Sequence, residues 1–342
     1  MREYSSKEQL SFDDILLVPQ ISDVASRKDV NLGVVLGSGL NSIKLQTPMI
    51  AAPMDTVCEY EMASAIRKAG GIGIMHRYMN IQDQAQQVKL AKAMGSISGG
   101  SVGATGSFLD DALALASAGA ALILVDVANG HSMHAINAVK QLRKLFGDGM
   151  HIMAGNIATW EGYARLADAG ADSVRVGIGG GSACTTRVVS GHGVPTLASI
   201  MDISSNFRTS KGPTLIADGG IRNSGDAAKA IAAGATAVMV GRLLAGTDES
   251  PGDSLDGYKV FRGMASREAQ EAGRGVVSGV EGVATRVKCI GPVNNIINDF
   301  RAGLSSALSY TGVDNIIDFQ RDSVYNKVSS NSLNETKPHA KE

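Results

Sequence analysis

The sequence is poor in the features that would commit it to several functional classes. Its 342 residues hold three cysteines, Cys58, Cys184 and Cys289, too few for a disulfide framework and suited to a reducing, cytoplasmic setting. Aromatic residues make up only 4%. No run reaches the roughly 18 apolar residues that a membrane helix needs. The opening stretch MREYSSKEQLSFDD has no apolar core, so no secretory signal is expected. The net charge is −1. Without a basic block the chain carries no electrostatic footprint for nucleic acid, and without an acidic block it has no charged tail.

Glycine, by contrast, is abundant at 41 residues, and 44% of the chain is hydrophobic. Short apolar runs alternate with longer amphipathic ones: PMIAAP (48–53), IGIM (72–75), SVGAT (101–105), ALILVD (121–126), HIMAG (151–155), DSVRVGI (172–178), PTLIADGG (213–220) and TAVMVG (236–241). Short runs buried on both faces, between helices that end at glycine, imply a parallel sheet. Eight such units predict a closed α/β (β/α)8 TIM barrel, the alternative being an open doubly wound sheet. The expected organisation is one catalytic unit over 1–330 with a disordered tail over 331–342. Two stretches break the repeat. GSISGGS at 95–101 reads as a flexible connection. Residues 246–291, charged and Gly-rich with weak periodicity, follow the last strand and read as an active-site flap.

Barrel chemistry sits at the carboxyl ends of the strands. There, GIGGGSACTTR (177–187) offers uncluttered backbone, three hydroxyls and Cys184. A lone cysteine is more often a small buried hydrophobe, but in such a loop it is a candidate nucleophile. IADGGI (216–221) and VMVGR (238–242) end strands 7 and 8, where barrels often bind phosphate. Gly219, Gly220, Gly241 and Arg242 are the candidates for that phosphate, with Asp218 placed to accept from ribose hydroxyls. In DVANGHS (126–132), Asp126 and Asn129 are polar at a strand end, although an Asp there can also cap the next helix. RGMAS (262–266) and GVEG (279–282) lie in the flap; a lone Glu in a loop is more often a solvated charge, and Glu281 is also an acid–base candidate.

These stretches, with FDDILLVP (12–19), AAPMDTV (51–57), GGIGIMHR (70–77), GRLLAGTDESPG (241–252) and GPV (291–293), resemble the IMP dehydrogenase/GMP reductase family over nearly the whole chain. The resemblance implies that Cys184 attacks C2 of a purine mononucleotide and that hydride moves between C2 and a nicotinamide cofactor. Thr186 and Glu281 match the positions that handle protons. Asp218 matches the ribose-binding Asp; Ser182, Gly219, Gly220, Gly241 and Arg242 match phosphate contacts; Gly263, Met264 and Ala265 match the purine-reading backbone. Asp126, Asn129, Arg77 and Thr105 fall in the cofactor half. The carbonyls of Gly179, Gly181 and Cys184 match a monovalent-cation (K+) site, and the family implies a homotetramer.

Three features favour the reductase branch, with NADPH reducing GMP to IMP and ammonia. The gap between helix 2 and strand 3 lacks the regulatory insert common in dehydrogenases, and the Gly/Ser stretch marks either a natural join or the place of a removed insert. Between Met264 and Glu281 there is no Tyr to serve the dehydrogenase's water-activating Arg-Tyr pair. DVANG resembles the reductase version. Departures from the family pattern are Gly180 for the usual Pro, Arg77 for Lys, and Ser278 for Arg, with Arg274 as a candidate to compensate. The runner-up is an IMP dehydrogenase without the insert, converting IMP to XMP with NAD. A silent nucleotide-binding paralogue would show no GMP-protectable cysteine, and a flavin-dependent barrel would purify yellow.

Overall fold

The computed structural model describes residues 8–207, 212–332 and 335. Eight parallel strands close into a barrel: β1 (Met49–Ala51), β2 (Ile72–Met75), β3 (Gly99–Val102), β4 (Leu122–Asp126), β5 (His151–Ile157), β6 (Ser173–Val176), β7 (Thr214–Asp218) and β8 (Ala237–Val240). Each of the eight expected runs contributes one strand, and β8 returns to β1 through Val238–Met49, Met239–Ile50 and Val240–Ala51. Strands such as Ile72–Met75 and Ala237–Val240 are buried at every position, which is why they read as continuous apolar runs.

The helices ring this barrel, and their starts follow the capping rules. Asn80, Ser132, Thr159 and Asn223 each accept a backbone N–H three residues on, opening α2 (Ile81–Ala93), α4 (Met133–Phe146), α5 (Trp160–Asp168) and α8 (Ser224–Ala232). Ser132, rather than Asp126, caps α4. The long helix α10 (Val293–Thr311) packs against both α1 (Tyr60–Lys68) and α8, closing the ring. A hairpin of Val34–Leu36 with Ile43–Leu45 sits at the amino ends of the strands. It is held by Gly37 N–H donating to Thr214 Oγ1 and by His151 Nδ1 against the Asn41 carbonyl. Near the chain ends, Ile15–Leu17 pairs antiparallel with Tyr325–Lys327. The expected disordered tail lies almost wholly outside the described residues.

Two expectations are corrected. GSISGGS is not merely a flexible connection: Ser98 to Ser101 are buried, and Gly99–Gly100 form the heart of β3. A Cβ on Gly99 would stand 2.7 Å from the Leu122 side chain, and one on Gly100 2.8 Å from Leu115. Glycine is therefore a steric requirement here, set by large neighbours on β4 and α3 (Phe108–Ala118). The flap is also more ordered than its periodicity suggested. Tyr258–Arg262 pairs antiparallel with Ala284–Lys288, with α9 (Arg267–Arg274) between them.

Candidate active site

The loop after β6 carries the nucleophile candidate. Gly177, at φ +148°, turns the chain tightly over β7, where a Cβ would fall 1.8 Å from the Asp218 carbonyl oxygen. Only glycine permits that approach. Gly181 O then accepts from Cys184 N–H at 3.1 Å, and Cys184 stands exposed on the loop. Its sulfur is 3.1 Å from Thr186 Oγ1, and Thr186 Oγ1 donates to Glu281 Oε2 at 2.6 Å. A threonine hydroxyl has one proton. With that proton given to the carboxylate, Thr186 accepts from the thiol, so a continuous path runs from Cys184 to Glu281.

Glu281 reaches this position because the flap is stitched to the loop by backbone. Its carbonyl accepts from Thr185 N–H at 2.9 Å and its own N–H donates to Ala265 O at 3.0 Å. Val283 N–H donates to Ala183 O at 3.0 Å. Two flap stretches, 262–266 and 281–283, thus lie beside Cys184. An ion pair from Arg262 to Asp55, 2.6 Å from Nη2 and 3.0 Å from Nε, ties the first of them to the loop after β1.

The opposite wall is a charge network that the sequence reading missed in part. Arg175, in the middle of β6, is almost fully buried at 4% exposure. It donates to Asp126 Oδ1 at 2.5 Å and lies 3.7 Å from Asp218 Oδ2. Arg77 Nε stands 3.6 Å from the other Asp126 oxygen. Asn156 donates to Asp218 Oδ2 at 2.9 Å and to Gly177 O at 2.8 Å. Burial pushes the Asp218 carboxyl above its usual range, and the charge on Arg175 and the Asn156 hydrogen bond only partly offset it. The signal for Arg175 was present: it is the one charge inside the apolar core of DSVRVGI.

All of this faces one cavity of about 1140 Å³. Its walls include Cys184, Thr186, Glu281 and Ser182 from the loop and flap, and Asp218, Gly219, Gly220, Gly241 and Arg242 from the ends of β7 and β8. Gly263, Met264 and Ala265 line it from the flap, Gly179 and Gly181 from the loop, and Asp126 and Arg77 from the network wall. Two expected cofactor contacts are not brought in. The Asn129 side chain closes a local turn, accepting from His131 N–H at 3.0 Å, and Thr105 is exposed in the bend after β3. Neither lines the cavity. Ser278 does line it, its N–H held by Gln270 Oε1 at 2.8 Å, whereas the Arg274 side chain lies outside what the structure describes.

Residues 9–339 match the family model described as IMP dehydrogenase / GMP reductase domain. The chain is 32% identical to inosine-5'-monophosphate dehydrogenase of Nitrosopumilus maritimus, covering 97% of this chain and 98% of that protein. It is 34% identical to the enzyme of that name from Cryptosporidium parvum, covering 96% and 94%. The first of these alignments spans 473 positions, more than this chain's 342 residues, so that relative carries residues absent here. Among solved structures, GMP reductase from Trypanosoma brucei in complex with guanosine 5'-monophosphate superposes with a TM-score of 0.92 at 29% identity, covering 99% of each chain.

Proposed function

Because the chain belongs to the IMP dehydrogenase/GMP reductase family, whose members are oxidoreductases, we propose that it is a GMP reductase that converts GMP to IMP and ammonia through a covalent Cys184 adduct. The observation that carries this reading is the proton path from Cys184 through Thr186 to Glu281, 3.1 Å and then 2.6 Å, in a flap that lacks tyrosine between Met264 and Glu281. Attack of the Cys184 sulfur on C2 of GMP forms the C–S bond. The amino group leaves C2 as ammonia, taking its proton along the Thr186–Glu281 path. Hydride arrival at C2 then expels the thiolate and leaves IMP. The adduct divides one difficult substitution into two easier steps.

NADPH, when bound, supplies that hydride. The network wall fits a polar planar ring: Asn156 Oδ1 and Arg175 Nε are buried beside the cavity and have no hydrogen-bond partner among the described residues. The wall therefore offers both an acceptor and a donor. The cavity also exceeds the ~300–1,000 Å³ of a site for one small molecule, so it has room for a mononucleotide and a second ligand. The carbonyls of Gly179, Gly181 and Cys184, residues that line the same cavity, would hold a K+ ion.

The second reading is an IMP dehydrogenase, favoured by the names of the sequence relatives. It requires a base to activate water. Among the described residues, the polar flap side chains at the cavity between Met264 and Glu281 are Gln270 and Ser278, and neither is a base. Absorbance at 340 nm separates the two readings. The reductase consumes NADPH with GMP, and Cys184→Ala stops it. NADH formation from IMP and NAD overturns the proposal.

A further inference from the structure

One buried charge in the flap takes no part in the chemistry above. Lys259 lies on the inward face of the hairpin with Phe261 and Val287, and is 8% exposed. Its ammonium meets four oxygens: the carbonyls of Thr247 at 3.0 Å, Asp248 at 3.2 Å and Ser250 at 2.6 Å, and Ser250 Oγ at 3.3 Å. Among the described residues it forms no ion pair with a carboxylate. A buried charge is costly unless its donors are satisfied. Here the satisfaction comes from three carbonyls and a hydroxyl, and rings of carbonyl oxygens also hold monovalent metal ions.

The cage stands at the hinge of the flap. Thr247 Oγ1 donates to Leu244 O, and Ser250 Oγ to Ala245 O, each at 2.8 Å, which fixes the turn to the exit of β8. Ile290 N–H donates to Gly246 O and Asp248 N–H to Gly291 O, so the returning chain is held by the same turn. Glu249 accepts from Val293 N–H at 2.8 Å at the start of α10. Lys259 joins this turn to the hairpin strand, from which Phe261 and then Gly263 to Ala265 line the cavity.

We infer that Lys259 is a positioning residue, a tethered monovalent cation that sets the register of the flap hairpin against the end of β8. It thereby aligns the phosphate end of the site, at Gly241 and Arg242, with the purine-facing backbone at Gly263–Ala265. The inference rests on the family assignment and not on the choice between the two reactions. Removal of the side chain opens a carbonyl cage that a free cation can enter, whereas an uncharged isostere fills it.

The test compares Lys259→Ala and Lys259→Met with the unsubstituted protein, without and with added potassium or methylammonium. Amide hydrogen exchange reads the flap without any nucleotide. Tyr258–Arg262 and Ala284–Lys288 are expected to lose protection in both variants while the barrel strands keep theirs, and the added cation restores it only in Lys259→Ala. Calorimetric affinity for GMP and IMP is expected to fall about tenfold in both variants and to recover with the cation only in Lys259→Ala, a tenfold change being about 1.4 kcal/mol. Unchanged hairpin protection overturns the inference, as does loss spread over the whole barrel, or a Lys259→Ala variant indifferent to cations. If the unsubstituted protein binds neither nucleotide, the proposed function falls, and the exchange data still decide the role of Lys259.

Discussion

Replacing Glu281 by Gln removes one negative charge and leaves the shape of the flap in place. The backbone bonds to Thr185 and Ala265 do not involve the side chain. What changes is the 2.6 Å hydrogen bond from Thr186 Oγ1. With a carboxylate, that bond is charge-assisted and polarises Thr186 as an acceptor for the Cys184 proton. With an amide, the path ends in a group that does not take up a proton. A positioned acid–base group contributes about 10²–10⁴ in rate, so kcat of Glu281→Gln is expected to fall by about 10²–10³ with nucleotide KM changed less than about threefold, the pattern of an interaction made mainly in the transition state. Steady-state oxidation of NADPH with GMP gives both constants, and Thr186→Val is expected to fall by a similar factor without adding to the loss in the double variant. A Glu281→Gln enzyme within about threefold of normal kcat, or effects of the two substitutions that multiply, would refute the relay.

Other expectations follow from the network wall and the barrel base. Asp218→Asn is expected to weaken nucleotide binding about 10- to 100-fold, from the ~1.5–3 kcal/mol of hydrogen bonds to a charged group. Because burial raises the Asp218 carboxyl, affinity in the unsubstituted protein should fall with decreasing pH earlier than an ordinary carboxylate would dictate, and calorimetry across pH should show that limb disappear in Asp218→Asn. Arg175→Met leaves Asp126 and Asp218 without their shared cation, and should lower stability in urea by about 3–5 kcal/mol; a loss under about 1 kcal/mol would mean that water satisfies the carboxylates. His151 is fully buried between Asn41 and Ser173, and burial lowers its pKa from the ordinary 6.5. The unfolded chain therefore binds a proton there that the folded protein does not, and stability should fall as pH drops below about 6.5 with a slope of up to about 1.4 kcal/mol per pH unit. His151→Gln should flatten that slope, and an unchanged slope assigns it elsewhere.

The parts that were legible in the sequence are those where one physical demand acts alone. Strands such as Leu122–Asp126 are buried on both sides, so their apolar runs announced themselves. In β3 the demand was different: Leu115 and Leu122 occupy the space that side chains at Gly99 and Gly100 would need, and a Gly/Ser strand is indistinguishable from a linker by composition. The flap hairpin was obscured because Lys259 takes an inward position that alternation reserves for an apolar residue. Arg175 sat in plain view but was read only as part of a strand. The cysteine, threonine and glutamate were recognisable together through the family resemblance, since Thr186 and Glu281 stand 95 positions apart and are brought together by the flap's backbone pairing with the loop. Asn129 is polar near a strand end, and polarity does not tell whether a side chain turns inward or closes a local turn.

The most direct test of the central claim is to follow all products when the purified protein is given GMP and NADPH. IMP, ammonia and NADP+ are expected in equal amounts, with none formed by Cys184→Ala. Formation of XMP and NADH from IMP and NAD, with GMP left untouched, would contradict that claim.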